Sequence, residues 1–294
     1  MWAILFACTG APTKDPSDAP AAPVDRLIVG GGGACLQRGM DYDCRVVDWA
    51  ISDYQQFSFP NGRYSEVVLG NLSPCGILPD GTAECWGWNA TGQTEIPGGT
   101  WSKIIPYYQH SCGLRPDGSL VCWGYDYNGS TGPFEGSFLG AALFSTTTCA
   151  LKTDGTILCK GDDRFGMTAP PSGVWTEVAG DGGNACALNA AGEVSCWGDD
   201  DDNVPTAPTG SGYTDLQVGS KAACVLQADR TALCWGNDSF GALQPPPGPW
   251  KQIGADYYHF CGLRNDDSVE CWGCRGEGDA YCNWNKPVGY NAGE

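Results

Sequence analysis

The chain has 294 residues with 34 acidic and 16 basic side chains, so its formal net charge is −18. This sign opposes binding to nucleic-acid phosphates, which attract basic surfaces. The 43 glycines and 20 prolines disfavour repeats built from stacked helices, because both residues are costly inside a helix. The composition therefore opposes nucleic-acid binding and repeats of stacked helices.

The first segment is the short apolar run WAILFAC, which ends at Cys8. LFAC resembles the lipobox of bacterial lipoproteins, which implies that residues 1–8 are a truncated signal and that Cys8 is lipidated. The run departs from that pattern, because it is short, no Lys or Arg precedes it, and Phe6 stands where a smaller residue is usual. Residues 9–23 are rich in Pro, Ala and Asp, which predicts a flexible tether. We expect an extracellular or cell-surface protein that contacts a membrane, such as the outer membrane, only through a lipid on Cys8.

From residue 24 onward, one sequence pattern occurs seven times. Six copies resemble CGLRPDGSLVCWG, Cys112 to Gly124, with two cysteines ten positions apart. Successive leading cysteines of these copies are 37 or 38 residues apart, and a large apolar residue stands eleven positions before each. A shortened copy precedes them, with Val24 eleven positions before Cys35, and Cys44 closes its hairpin. A fixed period of this length indicates units that bury their apolar faces only against their neighbours.

Each copy contains three segments of strand length, as in WTEVAG, NACALN and EVSCWG. A three-residue loop such as PDG predicts a type I turn followed by a left-handed residue. Counting back from Asp117 places Cys112 opposite Cys122 on a non-hydrogen-bonded rung, where a disulfide fits. Arg230 and Asp267 occupy the left-handed position in two copies, and we expect the hairpin that contains Arg230 to be the most strained.

The chain has 17 cysteines, and 16 of them form pairs at suitable spacing. We interpret these pairs as disulfides, which implies an oxidising compartment. Buried free thiols and a metal site are the alternatives, although zinc sites usually contain CxxC knuckles or several histidines. The predicted pairs are Cys35 with Cys44, Cys75 with Cys85, Cys112 with Cys122, Cys149 with Cys159, Cys186 with Cys196, Cys224 with Cys234, Cys261 with Cys271, and Cys274 with Cys282.

These features combine into W-x-x-(I/V)…H-x-C-(A/G)-L-x-x-D-G-x-(V/L)-x-C-W-G, which resembles the repeat of the regulator of chromosome condensation family in its exported, cysteine-paired bacterial form. The resemblance covers about residues 24–290 and implies an all-β, seven-bladed propeller over residues 24–294. Members of that family include a nuclear guanine-nucleotide exchange factor and a secreted inhibitor of beta-lactamases, which both act by binding proteins. We therefore expect a monomeric, non-enzymatic protein that binds a macromolecular partner, most simply a protein. The final KPVGYNAGE is interpreted as the segment that closes the propeller.

The loops that follow CWG form the predicted binding surface, because binding groups tend to lie on loops held by a rigid scaffold. These loops are expected at one end of the propeller and combine aromatic with acidic side chains, as protein-recognition surfaces do. The alternative is that Asn, Asp and Gly only shape tight turns there. The predicted binding residues are Trp88, Tyr125, Asp126, Tyr127, Asp162, Asp163, Phe165, Asp199, Asp200, Asp201, Asp202, Asp238 and Phe240. A second aromatic group precedes the hairpins and is expected on the opposite face: Tyr107, Tyr108, Tyr257 and Tyr258.

The sequence contains no GxSxG, HExxH, Walker loop or GxGxxG motif. His110 and His259 stand two residues before a hairpin cysteine, so we interpret them as hydrogen-bonded structural histidines. The repeated tryptophan of CWG is interpreted as packing between blades. It occurs as Trp86, Trp123, Trp197, Trp235 and Trp272.

We predict no cofactor and no metal, but three alternatives stay open. The first is calcium, because the run GDDDDN offers oxygen ligands, although it lacks the alternating spacing of known calcium loops. A cytosolic regulator that resembles the exchange factor is the second. The third is a carbohydrate-binding protein, or a lyase or glycosidase with two carboxylates at the propeller mouth.

Overall fold

The computed structural model describes residues 23–46, 59–60, 63–238, 240–257 and 259–273. These residues form 21 strands in seven antiparallel three-stranded sheets, and the strands of each sheet are consecutive in the chain. The sheets are the predicted blades, and the seven-bladed propeller is confirmed. Cys8, the tether before Pro23, the pair Cys274 and Cys282, and the KPVGYNAGE segment lie outside the described residues, and what was expected of them stays a prediction.

The blades follow the chain in order. Blade 1 contains β1 (Arg26–Gly30), β2 (Gly33–Arg38) and β3 (Asp41–Val46). Blade 2 contains β4 (Glu66–Val68), β5 (Cys75–Ile77) and β6 (Ala83–Cys85). Blade 3 contains β7 (Lys103–Pro106), β8 (His110–Leu114) and β9 (Leu120–Gly124). Blade 4 contains β10 (Phe138–Phe144), β11 (Thr147–Lys152) and β12 (Ile157–Gly161).

The remaining blades have the same plan. Blade 5 contains β13 (Glu177–Asp181), β14 (Asn184–Leu188) and β15 (Val194–Gly198). Blade 6 contains β16 (Thr214–Val218), β17 (Ala222–Leu226) and β18 (Ala232–Gly236). Blade 7 contains β19 (Gln252–Ala255), β20 (Phe260–Leu263) and β21 (Val269–Trp272). The described helical structure is a single 3₁₀ turn, Arg164–Gly166. Within the described part of the chain, no helix has the length and apolar character needed to cross a bilayer.

The first strand of every blade faces the axis of the propeller. Each first strand contacts the first strands of both neighbouring blades, and β19 of blade 7 contacts β1 of blade 1. Residues from the first strands of blades 3 to 7 also line a narrow axial cavity of about 210 Å³. The blades therefore form a closed circle.

Apolar side chains fill the space between neighbouring blades. The buried residues divide into seven clusters, and each combines side chains from two adjacent blades. Trp123 in blade 3, for example, packs beside Ile77 of blade 2, and its indole N–H donates to the Gln93 carbonyl at 2.8 Å. Trp197, Trp235 and Trp272 donate in the same way to the loop of the preceding blade. The interpretation of these tryptophans as packing between blades is confirmed.

Each blade carries one disulfide between its second and third strands. All seven predicted pairs within the described residues are bonded, with Cα atoms 3.9 to 4.1 Å apart. This short separation is typical of a non-hydrogen-bonded rung. In blade 3, Cys112 pairs with Cys122 and Leu114 with Leu120, as the sequence predicts. Arg230 and Asp267 both adopt the left-handed conformation, with φ of 65°.

Polar side chains at the start of the inner strands bind the next blade. Asp215 in blade 6 accepts the Ile253 backbone N–H at 2.8 Å. Gln252 in blade 7 accepts the Leu27 N–H at 2.9 Å and donates to the Leu27 carbonyl at 2.8 Å. Leu27 belongs to blade 1, so Gln252 joins the last blade to the first. These bonds satisfy backbone groups that the three-stranded sheets leave unpaired.

Candidate functional site

One end of the propeller carries two sets of loops, and we call it the mouth face. The first set joins the first and second strands of each blade, and the second set follows the third strand. The two sets contact each other: the Tyr125 N–H donates to the Gln109 carbonyl at 2.9 Å, and the aromatic rings of Trp88 and Tyr108 stack at 4.9 Å. The tight turns between second and third strands, such as the one at Gly118, lie at the opposite end. The expectation that the loops after CWG share one end is confirmed.

The expectation that the tyrosines before the hairpins lie on the opposite face is wrong. Tyr107, Tyr108 and Tyr257 lie in or beside the loops between first and second strands, and all three line a cavity of the mouth face. The reason is the antiparallel order of the blade, because the third strand ends at the same end of the propeller as the first strand. Tyr258 lies outside the described residues.

A cavity of about 400 Å³ opens at the centre of this face, and we call it the mouth cavity. Among the described residues, its lining is aromatic and polar and includes no ionisable acid or base other than tyrosine. It comes from blades 2, 3, 4 and 7, and consists of Asn71, Tyr107, Tyr108, Gln109, Ser145, Thr146 and Tyr257. Such a lining offers apolar contact with a few hydrogen-bonding groups, which is typical of ligand and peptide sites.

A buried hydrogen bond forms the floor below the mouth cavity. The Tyr107 hydroxyl in blade 3 donates to Asp181 Oδ1 in blade 5 at 2.6 Å, and the Gly182 N–H donates to the same hydroxyl at 3.1 Å. Burial, with the nearby charge of Asp256, raises the pKa of Asp181 to about 7. Burial and the Asp181 charge raise the pKa of Tyr107 well above its usual range. Asp181 and Asp256 line a smaller axial cavity of about 140 Å³ beneath the mouth.

Several of the predicted aromatic residues are accessible on the mouth face. Tyr125 is 45% exposed and Phe165 is 59% exposed, while Trp88 is half-buried because it stacks on Tyr108. The Tyr127 ring lies 6.3 Å from the Tyr125 ring. Phe240 is half-buried in the corresponding loop of blade 6.

Three of the predicted aspartates hold the loops together. A carboxylate oxygen of Asp126, Asp163 and Asp238 accepts the backbone N–H five residues later, at 3.0 to 3.1 Å. Asn89 accepts the Thr94 N–H in the same way in blade 2. These hydrogen bonds are those expected of turn-shaping residues, and a binding role for the three aspartates stays a prediction. Asp200 occupies the equivalent position in blade 5, but the residue five positions later is Pro205, which has no N–H.

The remaining predicted aspartates form two groups. Asp162, Asp199 and Asp202 line a second cavity of about 330 Å³ on the mouth face, which we call the acidic cavity. Asp200 and Asp201 are exposed, and their carboxylate oxygens lie within 4.8 Å of each other and of an Asp199 oxygen. Exposed carboxylates commonly gather without an ion, so calcium stays an untested alternative.

Both histidines are buried in the blades. The His110 Nε2 atom lies 2.9 Å from the Thr148 hydroxyl of the next blade, and burial lowers the pKa of His110 to about 4. His259 Nδ1 lies 3.8 Å from the Asp256 carboxylate. The interpretation of His110 as a hydrogen-bonded structural histidine is confirmed.

Comparison with known proteins identifies the repeat. Residues 107–130 match the Regulator of chromosome condensation (RCC1) repeat. The structure is also similar to Prp20p from Saccharomyces cerevisiae, with a TM-score of 0.63 and 11% identity over 79% of this chain and 75% of that chain. Residues 107–130 therefore resemble an RCC1 repeat, and the likeness to Prp20p concerns the fold. A search of curated protein sequences finds no match.

Two plant receptor-kinase ectodomains have the same fold. The ectodomain of the Physcomitrella patens receptor kinase CR4 has a TM-score of 0.66 and 23% identity, covering 84% of this chain and 72% of that chain. The CRINKLY WD40 ectodomain of the Arabidopsis thaliana receptor kinase ACR4 has a TM-score of 0.64 and 23% identity, covering 84% of this chain and 93% of that chain. At these identities, the likeness concerns the fold alone.

One position in the repeated unit differs between blades 2 to 5. The third residue after the second hairpin cysteine is Trp88 in blade 2 and Tyr125 in blade 3, but Asp162 in blade 4 and Asp199 in blade 5. The mouth face is therefore aromatic at this position in blades 2 and 3 and acidic in blades 4 and 5. Sequence reasoning included these residues but not Asn71, Gln109, Ser145 and Asn184, which also line the cavities. The latter four residues lie between the first strand and the second strand of their blades or at the start of the second strand, and that location in the repeat is the sequence feature that could have identified them.

Proposed function

We propose that the chain is a non-enzymatic, exported propeller that binds a protein partner through the mouth face. The observation that carries the proposal is the group of accessible aromatic side chains around the mouth cavity, which includes Trp88, Tyr108 and Tyr125. Aromatic side chains that surround a pocket supply much of the binding energy in protein interfaces. They lie here on loops held by a disulfide-braced scaffold, so little conformational entropy is lost on binding.

The structural neighbours support a protein partner. One is yeast RCC1 (Prp20) bound to Kap60, and another is described with its binding to Gsp1p and histones. The receptor-kinase neighbours are ectodomains. Seven disulfides support an oxidising, extracellular location and oppose the cytosolic exchange-factor alternative, because cytosolic thiols are kept reduced. Tethering through Cys8 and a monomeric state remain part of the proposal.

The lining of the mouth cavity opposes the enzyme alternative. A glycosidase needs two carboxyl groups on either side of the scissile bond, about 5 to 9.5 Å apart. No carboxylate lines the mouth cavity in the described part of the chain. Asp181 and Asp256 lie in the cavity of about 140 Å³ below it, and Asp181 is engaged by Tyr107. Binding therefore explains this cavity better than hydrolysis does.

The proposal is tested by capture with matched variants of the whole chain. The disulfide-bonded protein is immobilised and incubated with cell-surface extracts, and retained proteins are identified by mass spectrometry. The test variant combines Trp88→Ala, Tyr108→Ala and Tyr125→Ala. The control combines Leu139→Ser and Val174→Ser, two exposed apolar residues toward the opposite end of the propeller.

We expect one partner that the wild type and the control retain and that the triple variant loses. Retention by the triple variant together with loss by the control would place the interface on the opposite face and contradict the proposal. Circular dichroism and non-reducing mass spectrometry establish that each variant is folded and fully oxidised.

A further inference from the structure

The acidic cavity lies beside the mouth cavity, between blades 4, 5 and 6. The two cavities share Ser145, Thr146 and Tyr257 in their linings, so they are neighbouring parts of one face. The lining of the acidic cavity combines three carboxylates, those of Asp162, Asp199 and Asp202, with two cations and an amide. It is therefore able to receive part of the same partner that covers the mouth.

Two of the three carboxylates are already paired with a cation. Asp162 is bound by the Arg164 guanidinium, and Asp202 lies 3.4 Å from the Lys221 ammonium. Asp199 differs, because no Lys or Arg nitrogen of the described residues lies within 4.0 Å of its carboxylate. Among the three carboxylates, that of Asp199 is thus the one without a paired cation in the described part of the chain.

A second, independent feature points to a ligand that donates hydrogen bonds. Asn184 lines the cavity and is only 2% exposed. Its amide nitrogen donates to the Ser220 carbonyl at 3.3 Å, but no donor reaches its buried Oδ1 atom within the described residues. A buried acceptor without a donor is unfavourable, and such groups in folded proteins are usually satisfied by water or a ligand.

Aromatic side chains complete the lining. Phe165 is 59% exposed, and Tyr257 lies between the acidic cavity and the mouth cavity. Planar cations pack favourably on aromatic rings. The chain also carries a formal charge of −18, so its field attracts a basic partner.

We propose that the acidic cavity binds an arginine side chain of the protein partner. A guanidinium has five N–H donors in a planar fork, so it can serve the Asp199 carboxylate and the Asn184 oxygen together while it stacks on Phe165 or Tyr257. The inference rests on the proposed function, since it assigns one contact within the same interface.

The probe is N-acetyl-L-arginine methylamide, with the citrulline analogue as a neutral control of almost the same shape. Calorimetric titration of the full, oxidised chain at low ionic strength is expected to show binding of the arginine probe only. Added salt weakens that binding by screening. Binding of both probes with equal affinity would overturn the proposal, because the charge would then be irrelevant.

Two substitutions locate the contact. Asp199→Asn keeps the side-chain oxygen that accepts the Asp201 N–H but removes the charge, so we expect about tenfold weaker binding. Glu135→Gln, which removes one charge from an exposed residue that does not line the cavity, is the matched control and leaves the affinity unchanged. Asn184→Leu weakens binding with an equal or higher thermal midpoint, because it removes an unsatisfied buried acceptor. A lower midpoint together with unchanged binding would assign Asn184 a structural role only and overturn its part in the site.

The remaining outcomes separate this inference from the proposed function. Capture of a partner through the mouth face, with arginine-probe binding that is unaffected by Asp199→Asn, overturns the arginine site and leaves the proposed function intact. Probe binding that depends on Asp199, without any captured partner, supports the cavity and contradicts the wider proposal. A third outcome would make the aspartate cluster a metal site instead. In that outcome Ca²⁺ binds, Asp199→Asn and Asp200→Asn weaken the Ca²⁺ binding equally, and the arginine probe gives no signal.

Discussion

Tyr107 and Asp181 belong to blades 3 and 5, yet the tyrosine hydroxyl donates a 2.6 Å hydrogen bond to the aspartate carboxylate. The same hydroxyl accepts the backbone N–H of Gly182 in blade 5 at 3.1 Å. One buried side chain therefore joins two blades that are not neighbours, directly below the mouth cavity.

Replacing Tyr107 with Phe should destabilise the protein by about 1 to 3 kcal/mol, because the buried Asp181 carboxyl and the Gly182 N–H lose a hydrogen-bond partner. The loss should be larger at pH 8 than at pH 5, since Asp181 is charged only at the higher pH. Urea denaturation of the oxidised chain measures it. Tyr213→Phe, which removes one weak bond of 3.3 Å near the surface, should change the stability by less than about 0.5 kcal/mol. Equal effects of the two substitutions would show that the Tyr107 bond adds nothing to stability.

Asp181→Asn should change the pH dependence of stability. The pKa of Asp181 is about 7 in the folded protein and 3.8 ordinarily, so between these values the folded state binds more protons than the unfolded state. The contribution of Asp181 to the free energy of unfolding is therefore greatest below about pH 4 and falls as the pH rises toward 7. The asparagine keeps the acceptor oxygen and stays neutral. The free energy of unfolding of the variant, relative to that of the wild type, should therefore increase across this pH window by at most about 4 kcal/mol, since one pKa unit corresponds to about 1.4 kcal/mol.

Chemical denaturation of both proteins at pH 4, 6 and 8 gives that difference. The other buried titrating groups, such as His110 and Glu177, are common to both proteins and cancel. A difference that does not vary with pH would contradict the assigned pKa of Asp181.

Gln252→Ala should weaken the closure of the propeller. The side chain makes two hydrogen bonds to the Leu27 backbone of blade 1, at 2.9 and 2.8 Å. Their loss leaves backbone groups without partners, at a cost of about 1 to 3 kcal/mol. Hydrogen exchange should accelerate in β1 and β19 more than in β10. Gln244→Ala, which removes an amide that donates to the exposed Asp238 carboxylate, is the control and should leave exchange in β1 unchanged.

Gly113→Ala should destabilise blade 3, because an added Cβ would lie 2.6 Å from the Trp101 ring and 3.0 Å from Ile104. Overpacking of this kind costs about 1 to 3 kcal/mol. Gly98→Ala is the matched control, since no atom lies within 4 Å of its added Cβ. Thermal melts of the two variants compare the effects. A Gly113→Ala midpoint equal to that of Gly98→Ala would mean that Trp101 moves aside without cost.

The local features of each blade were predictable from the sequence. The spacing of Cys112 and Cys122 around an Asp-Gly turn determines which residues face each other, because the turn fixes the register of the two strands of a hairpin. The positive φ of Arg230 and Asp267 follows from the same counting. Packing of the repeated tryptophans between blades was also predictable, since a single repeat cannot bury them alone.

Only the tertiary structure decided which side chains meet on the mouth face. Tyr107 and Asp181 are 74 residues apart and touch because the inner strands of a closed propeller converge on one axis. The placement of Tyr108 beside Trp88, and of Asn184 beside Asp199, depends likewise on where the first and third strands of different blades end. Hairpin register is a short-range property of the chain, whereas the composition of a cavity depends on the angles at which seven separate blades pack, and a single repeat does not contain that information.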